Sequence, residues 1–308
     1  MSLAAKTVVA TGVSSGLGFE AIKQLLSQSQ AYKVILGARD TARTQKAYDD
    51  VAYDRAKHSL AILPLELLDL KTVKSFAQQT LDKLGQDKID YLLLNAGGTQ
   101  AKEEPGGQYR SKWCESYVVN HLSQHYLTHL LKDKLADSHS RIVVVSSGAM
   151  RGAKPEALDK DLRAGSGAEP WALYSETKFV QLLGAHWWRR QLAGKATVVA
   201  VSPGLIPGTG LGRGSGTTLT SEMPDAKTVP EGEIQILPPV YCLLSRPGAA
   251  NILRAFTKDD FPDDPDQIFL TSWGEWWSKD VFAHSLDKDL QDKWCPSKEE
   301  IEREEGLA

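Results

Sequence analysis

Short apolar runs recur along this chain, each separated from the next by a longer amphipathic stretch. Thr7–Ala10, Lys33–Ala38, Leu60–Leu65, Asp90–Leu94, Arg141–Val145 and Ala196–Val201 read as strands, and Asp266–Leu270 as a seventh. Residues 17–29, 41–57, 71–84, 112–135 and 171–192 read as the helices between them. Parallel strands need a crossover long enough for a helix, so this rhythm predicts repeated βαβ units. The expected fold is α/β: a single Rossmann-type doubly wound parallel sheet of about seven strands, with helices on both faces and one domain over 1–308. Two stretches break the rhythm. Residues 148–170 are rich in Gly, Ala and Pro, and 203–247 in Gly, Pro, Thr and Ser. Loops of such length in a compact domain are usually functional. The first reads as an insertion, and about 205–247 as a substrate lid.

Composition removes several classes of function. A net charge of −3 gives no reason to expect nucleic acid or an anionic membrane as partner. No apolar run reaches membrane-spanning length, and the first residues lack a signal-peptide pattern. Cys114, Cys242 and Cys295 form no C-x-x-C, which favours free thiols in a reducing compartment. A cytoplasmic protein, monomer or homodimer, is the expectation.

Thr11-Gly-Val-Ser-Ser-Gly-Leu-Gly18 lies between the first strand and the first helix. Glycines at 12, 16 and 18 allow a tight turn and close approach of a pyrophosphate to a helix N-terminus. Tyr174 and Lys178, four apart in Tyr-Ser-Glu-Thr-Lys, share one helix face. A phenol titrates at about 10, and a neighbouring ammonium favours its ionised form. Tyr53 and Lys57 have the same spacing, but in the polar helix after the second strand, far from the strand ends, and read as surface residues. His121, His125 and His129 recur at helical spacing. No carboxylate or cysteine set completes a metal site around them, so none is expected.

With its G-x-x-x-G-x-G spacing and preceding Thr11, the glycine loop resembles the short-chain dehydrogenase/reductase family, and the resemblance runs through nearly the whole chain. Asn95-Ala96-Gly97 looks like the family's N-A-G motif, although Leu94 replaces the asparagine that often precedes it. Asn120 fits the helix asparagine, Ser147 the catalytic serine, Tyr174 and Lys178 Y-x-x-x-K, and Pro203-Gly204 the P-G motif beside the nicotinamide. Asp69 stands where the family places an adenine contact. The resemblance implies Tyr174 as the proton donor to a carbonyl oxygen and Ser147 as the hydroxyl that polarises it. It implies that Lys178 lowers the phenol's pKa and holds the ribose, and that Asn120 positions a water on a proton path. Ser146 is expected to hydrogen-bond locally. It further implies cofactor contacts from Gly12, Ser14, Ser15, Gly16, Leu17, Gly18, Asn95, Ala96, Gly97, Pro203, Gly204, Ile206 and Thr209. After the second strand stand Ala38 and Arg39, where an acidic residue would accept from a ribose 2′-hydroxyl. A guanidinium suits a 2′-phosphate, so NADP(H) is expected, with Asp40 the one residue against it.

Ser147 and Tyr174 are 27 positions apart, about twice the spacing of the family's simpler reductases. Similar insertions in monomeric carbonyl reductases cover a helix pair otherwise used for dimerisation. Trp187 and Trp188 could pack under this one or into an interface. The run Leu205–Leu211 resembles the retinol-dehydrogenase-like and protochlorophyllide-reductase-like branch, which handles bulky apolar substrates. Trp273, Trp276 and Trp277 could wall such a pocket or pack as core. The leading expectation is a reductase of an apolar ketone, aldehyde or enone. The alternative is a non-redox cyclisation or isomerisation on the same fold. A cofactor-sensing regulator would have no use for an activated phenol.

Overall fold

The computed structural model describes residues 4–99, 111–204, 206, 211 and 240–307, with side chains from 248 in the last segment. Seven parallel strands form one sheet in the order β3-β2-β1-β4-β5-β6-β7. They are β1 (Lys6–Ala10), β2 (Tyr32–Ala38), β3 (Ser59–Pro64), β4 (Tyr91–Leu94), β5 (Arg141–Val145), β6 (Thr197–Val201) and β7 (Phe269–Leu270). Alternate residues of each strand feed two cores. Val8, Ala10, Val143 and Val199 pack with Ile22 and Leu25 of α1 (Gly16–Leu26) and Ile252 and Phe256 of α8 (Val240–Thr257). Val9, Ile142 and Val198 face the other way. They pack with Phe76 of α3 (Leu70–Leu84), Leu127 of α5 (Ser123–Asp137) and Leu183 of α7 (Pro170–Gln191). Strand order reverses between β1 and β4, and that switch point opens a cleft beyond the carboxyl ends of the strands.

Two expected elements come out shorter. The helix after β2, α2 (Thr41–Asp49), stops eight residues early, so Tyr53 and Lys57 lie in a turn rather than on a helix. There Tyr53 accepts from Arg55, and Lys57 donates to the Gln28 carbonyl. β7 keeps only Phe269–Leu270, because Asp264 accepts from the Asp266 amide and turns the chain just before it.

The insertion is folded rather than open. Leu158 and Leu162, in and just after α6 (Leu158–Asp161), are fully buried. Cys114 N donates to Leu162 O at 2.9 Å and Ala164 N to Lys112 O at 3.1 Å, which ties the insertion to the start of α4 (Glu115–Tyr117). The outer face of the α5–α7 pair is covered by α9 (Lys288–Trp294) and α10 (Lys298–Glu304). Trp188 packs there and not under the insertion: its Nε1 donates to His125 Nδ1 at 3.0 Å. Of the expected lid, 205–247, only 206, 211 and 240–247 are described, and the last of these already belong to α8.

Candidate active site

The floor of the cleft is built at the ends of β1 and β4. Gly12 has a φ of +67°, and a Cβ there would sit 2.5 Å from Ala96 Cα, so the turn requires glycine. Asn95 Nδ2 donates to Gly12 O at 2.7 Å, and Thr11 Oγ1 accepts from the amides of Asn95 and Ala96, both at 3.2 Å. Asn95 therefore acts first as the brace of the glycine turn. Gln124, which no sequence motif marks, finishes the brace by accepting from Thr11 Oγ1 at 3.0 Å and donating to Ala96 O at 2.9 Å. Ser15 begins α1 without a side-chain cap, and the first turn holds no acidic residue. Its amide groups are thus available to an anion.

At the end of β2 the two neighbouring charges part. Asp40 is the N-cap of α2, accepting from Arg43 N at 2.9 Å. Arg39 lines the cleft, is exposed, and makes no hydrogen bond or ion pair with another described residue. After β3, Asp69 does not line the cleft. Its carboxylate caps α3 through Lys71 N at 2.9 Å, and the wall is made by Leu65, Glu66, Leu67 and Leu68 instead. The cleft continues along Ala96, Gly97, Val119, Ser147, Tyr174, Lys178, Pro203, Gly204 and Ile206. Ser14, Gly16, Leu17 and Gly18 complete its glycine-loop wall. Thr99 ties Leu211 across its mouth through the Leu211 carbonyl at 3.1 Å. Thr209 lies outside the described residues.

Asn120 sits in a π-helical turn, Val118–Leu122, which re-aims its side chain out of regular helical register. Fully buried, it accepts from Gly98 N at 2.9 Å and donates to Gly98 O at 3.0 Å and Thr177 Oγ1 at 2.9 Å. It locks the loop after β4 to the tyrosine helix. Ser146 donates to Lys178 O at 3.0 Å, a contact across the fold rather than the local one expected. Ser147 accepts from Ala149 N at 3.1 Å and lines the cleft together with Tyr174.

Burial pushes the Tyr174 phenol up to about 12, with Ser147 pulling it down, and pushes the Lys178 ammonium down to about 7. Desolvation therefore sets the direction for the phenol, and the ammonium lies 5.7 Å from the tyrosine ring centroid. Trp171 stacks on Tyr174 at 5.2 Å from α7's first turn. Trp277 lies beside Gly148 with Arg151 over its ring at 5.3 Å, whereas Trp273 and Trp276 bond to Glu275 and Asp260 O away from the cleft.

The histidines do find a cysteine. His121, His125 and Cys295 bring ligand atoms within 4.8 Å of one another. Their hydrogen bonds tie them to the C-terminal segment. An indole only donates, so His125 Nδ1 accepts and the proton sits on Nε2, which donates to Pro296 O at 2.9 Å. Both His125 nitrogens are used, and His121 Nε2 is held by Trp294 O at 2.9 Å. Through these bonds the cluster clasps the C-terminal segment.

Residues 6–158 match the model of the short chain dehydrogenase family. A short-chain dehydrogenase/reductase of Pestalotiopsis microspora is 59% identical over 301 residues, 96% of this chain and 98% of that one. The chain belongs to the short-chain dehydrogenase/reductase family. A mouse retinol dehydrogenase 14 is 32% identical, matching 68% of this chain and 63% of its own length. Among solved structures, an NADPH-bound carbonyl reductase from chicken fatty liver shares the fold at TM-score 0.60 and 18% identity, covering 90% of this chain and all of that one. Members of this family use a nicotinamide dinucleotide. The residues here fit one: a glycine turn braced for close approach, an uncapped helix N-terminus, and a cleft that runs from there to Tyr174.

Proposed function

We propose that this short-chain dehydrogenase/reductase is an NADP(H)-dependent reductase of the ketone, aldehyde or enone group of a bulky apolar small molecule. The observation that carries the cofactor choice is at the end of β2. Arg39 faces the cleft without a partner among the described residues, while Asp40, the one residue that argued for NAD(H), has its carboxylate committed to capping α2. A planar, forked cation is suited to a ribose 2′-phosphate.

The bound dinucleotide supplies the hydride. The chain supplies the proton and holds the reacting oxygen. Tyr174 gives its phenolic proton to the carbonyl oxygen as charge develops there. Ser147, which lines the cleft with that phenol, donates to the same oxygen and fixes its direction. Lys178 holds the ribose and favours the phenolate left behind. Asn120 keeps the loop bearing Gly97 and Gly98 fixed against α7, and its neighbourhood to Lys178 suits a water-borne return path for the proton. The chain works as one domain over 1–308, with the insertion at 148–170 and a lid over about 205–247 bordering the substrate. Trp171, stacked on Tyr174 and 42% exposed, and Trp277 beside Gly148 give that border its apolar character. Four relatives are named retinol dehydrogenases, and retinol is a bulky apolar alcohol, the reduced form of a carbonyl compound of this kind.

The test is NADPH oxidation against bulky ketones, aldehydes, quinones and enones. Consumption of NADPH with at least one of them is expected. Tight NADPH binding with no consumption by any would move the assignment to a non-redox step.

A further inference from the structure

An ammonium has three N–H groups, and two of those on Lys178 are used inside the protein. One donates to Val145 O at 2.9 Å, at the end of β5, and one to Gln181 Oε1 at 2.9 Å, about a turn further along α7. Gln181 is buried, is not part of the cleft wall, and has no part in the proton scheme above. Its amide can meet the ammonium only with its oxygen, because an NH2 group and an ammonium are both donors. Its Nε2 is consequently turned into packed protein, where it has no hydrogen-bond partner. The side chain's hydrogen bond is thus the one to Lys178. On the far side of the ammonium, Gly97 leaves an opening toward the cleft: a Cβ there would lie 3.0 Å from Nζ.

We propose that Gln181 is a positioning residue for Lys178: its carbonyl and that of Val145 form a two-point mount that aims the remaining N–H past Gly97 into the cleft and favours the ammonium over the neutral amine. The inference rests on the dinucleotide reading of the cleft. Two acceptors bonded to the charged form oppose the desolvation that pushes Lys178 down to about 7. The groups facing Nζ are few in kind. α7 contributes Tyr174, which burial holds at about 12, so it stays protonated through the neutral range. β5 contributes the Val145 carbonyl, the loop after β4 contributes Gly97, and the π-helical turn contributes Asn120 beside Gly97, none of them titratable.

Fluorescence titration with NADPH, and separately with NADH, from about pH 6 to about pH 9 reads this mount through cofactor affinity. In Gln181→Leu, affinity is expected to fall about tenfold at the alkaline end and less than about twofold at the acid end, the midpoint moving down by about one pH unit. Gln181→Glu keeps an acceptor and adds charge, so its midpoint moves up. A leucine curve that superimposes on wild type overturns the proposal, as does a loss equal at every pH, the mark of a merely structural residue. Should circular dichroism show the leucine variant unfolded, the glutamate variant decides, and an unmoved midpoint there overturns it. Failure of the wild-type protein to bind either dinucleotide is a separate result: it refutes the cofactor reading and the inference with it.

Discussion

Replacing Arg39 by alanine should separate the two nicotinamide cofactors. The side chain lines the cleft where β2 ends, and it makes no hydrogen bond or ion pair with another described residue, so its removal breaks none among them. A guanidinium and a phosphate at about 4 Å attract by about 1 kcal/mol in bulk water and about 4 kcal/mol near a protein surface. Arg39 is exposed, which places the loss toward the lower part of that range. NADPH should therefore bind about tenfold to a hundredfold more weakly to Arg39→Ala. NADH, with a hydroxyl in place of the phosphate, should change by less than about twofold. Fluorescence titration with each cofactor at low and at moderate salt is the assay, and the NADPH effect should shrink as salt rises. Asp40→Ala is the control. It removes the α2 cap at a cost of about 1 kcal/mol of stability and leaves NADH affinity unchanged. Equal losses for NADPH and NADH in Arg39→Ala, or a wild-type protein that prefers NADH, would refute the reasoning.

Two further outcomes concern stability against pH. His121, His125, His129 and His186 are held below their ordinary value by burial, His121 and His129 at about 4. A base whose folded pKa is depressed keeps its full stability above the unfolded value of about 6.5 and loses it as pH falls. Each should cost about 1.4 kcal/mol per pH unit below that point, and a flat urea midpoint between about pH 7.5 and about pH 5.5 would contradict the clasp. Glu176 runs the other way. Burial, then Asp161, raises its carboxyl to about 7, so it destabilises the fold increasingly as pH rises from about 4.5 toward 7. Glu176→Gln should gain about 1 kcal/mol in chemical denaturation at about pH 8 and nothing at about pH 4; a gain of equal size at both would refute the assignment.

The fold is legible in the sequence because its signals are local. A buried parallel strand and its crossover helix each carry their own pattern, and six strands appear within two residues of where the apolar runs place them. The helix expected after β2 runs too long because residues 50–57 are as polar as a solvated helix, and nothing in that composition marks the stop at Asp49. The site is legible where a residue type has a single role. The glycine turn, Ser147, Tyr174 and Lys178 all line one cleft, and Asn120 braces the loop at Gly98 behind it. It is not legible where a residue has two uses. Asp69 stands where the family places an adenine contact and Asp40 stands against the NADP(H) expectation, yet each carboxylate caps the helix that follows it. The braces are hidden for another reason. Gln124 and Gln181 look like ordinary helix residues until tertiary contacts place Thr11 and the Lys178 ammonium against them. Cys295 meets His121 and His125 through a chain reversal that no spacing announces.

The most direct measurement of the central claim is Tyr174→Phe, assayed for NADPH consumption with a substrate the wild-type protein reduces and for NADPH affinity by titration. Removal of the phenolic proton should abolish turnover while affinity stays within about threefold of wild type. Turnover that survives the substitution, or a loss of cofactor binding that accounts for the lost rate, would contradict Tyr174 as the proton donor.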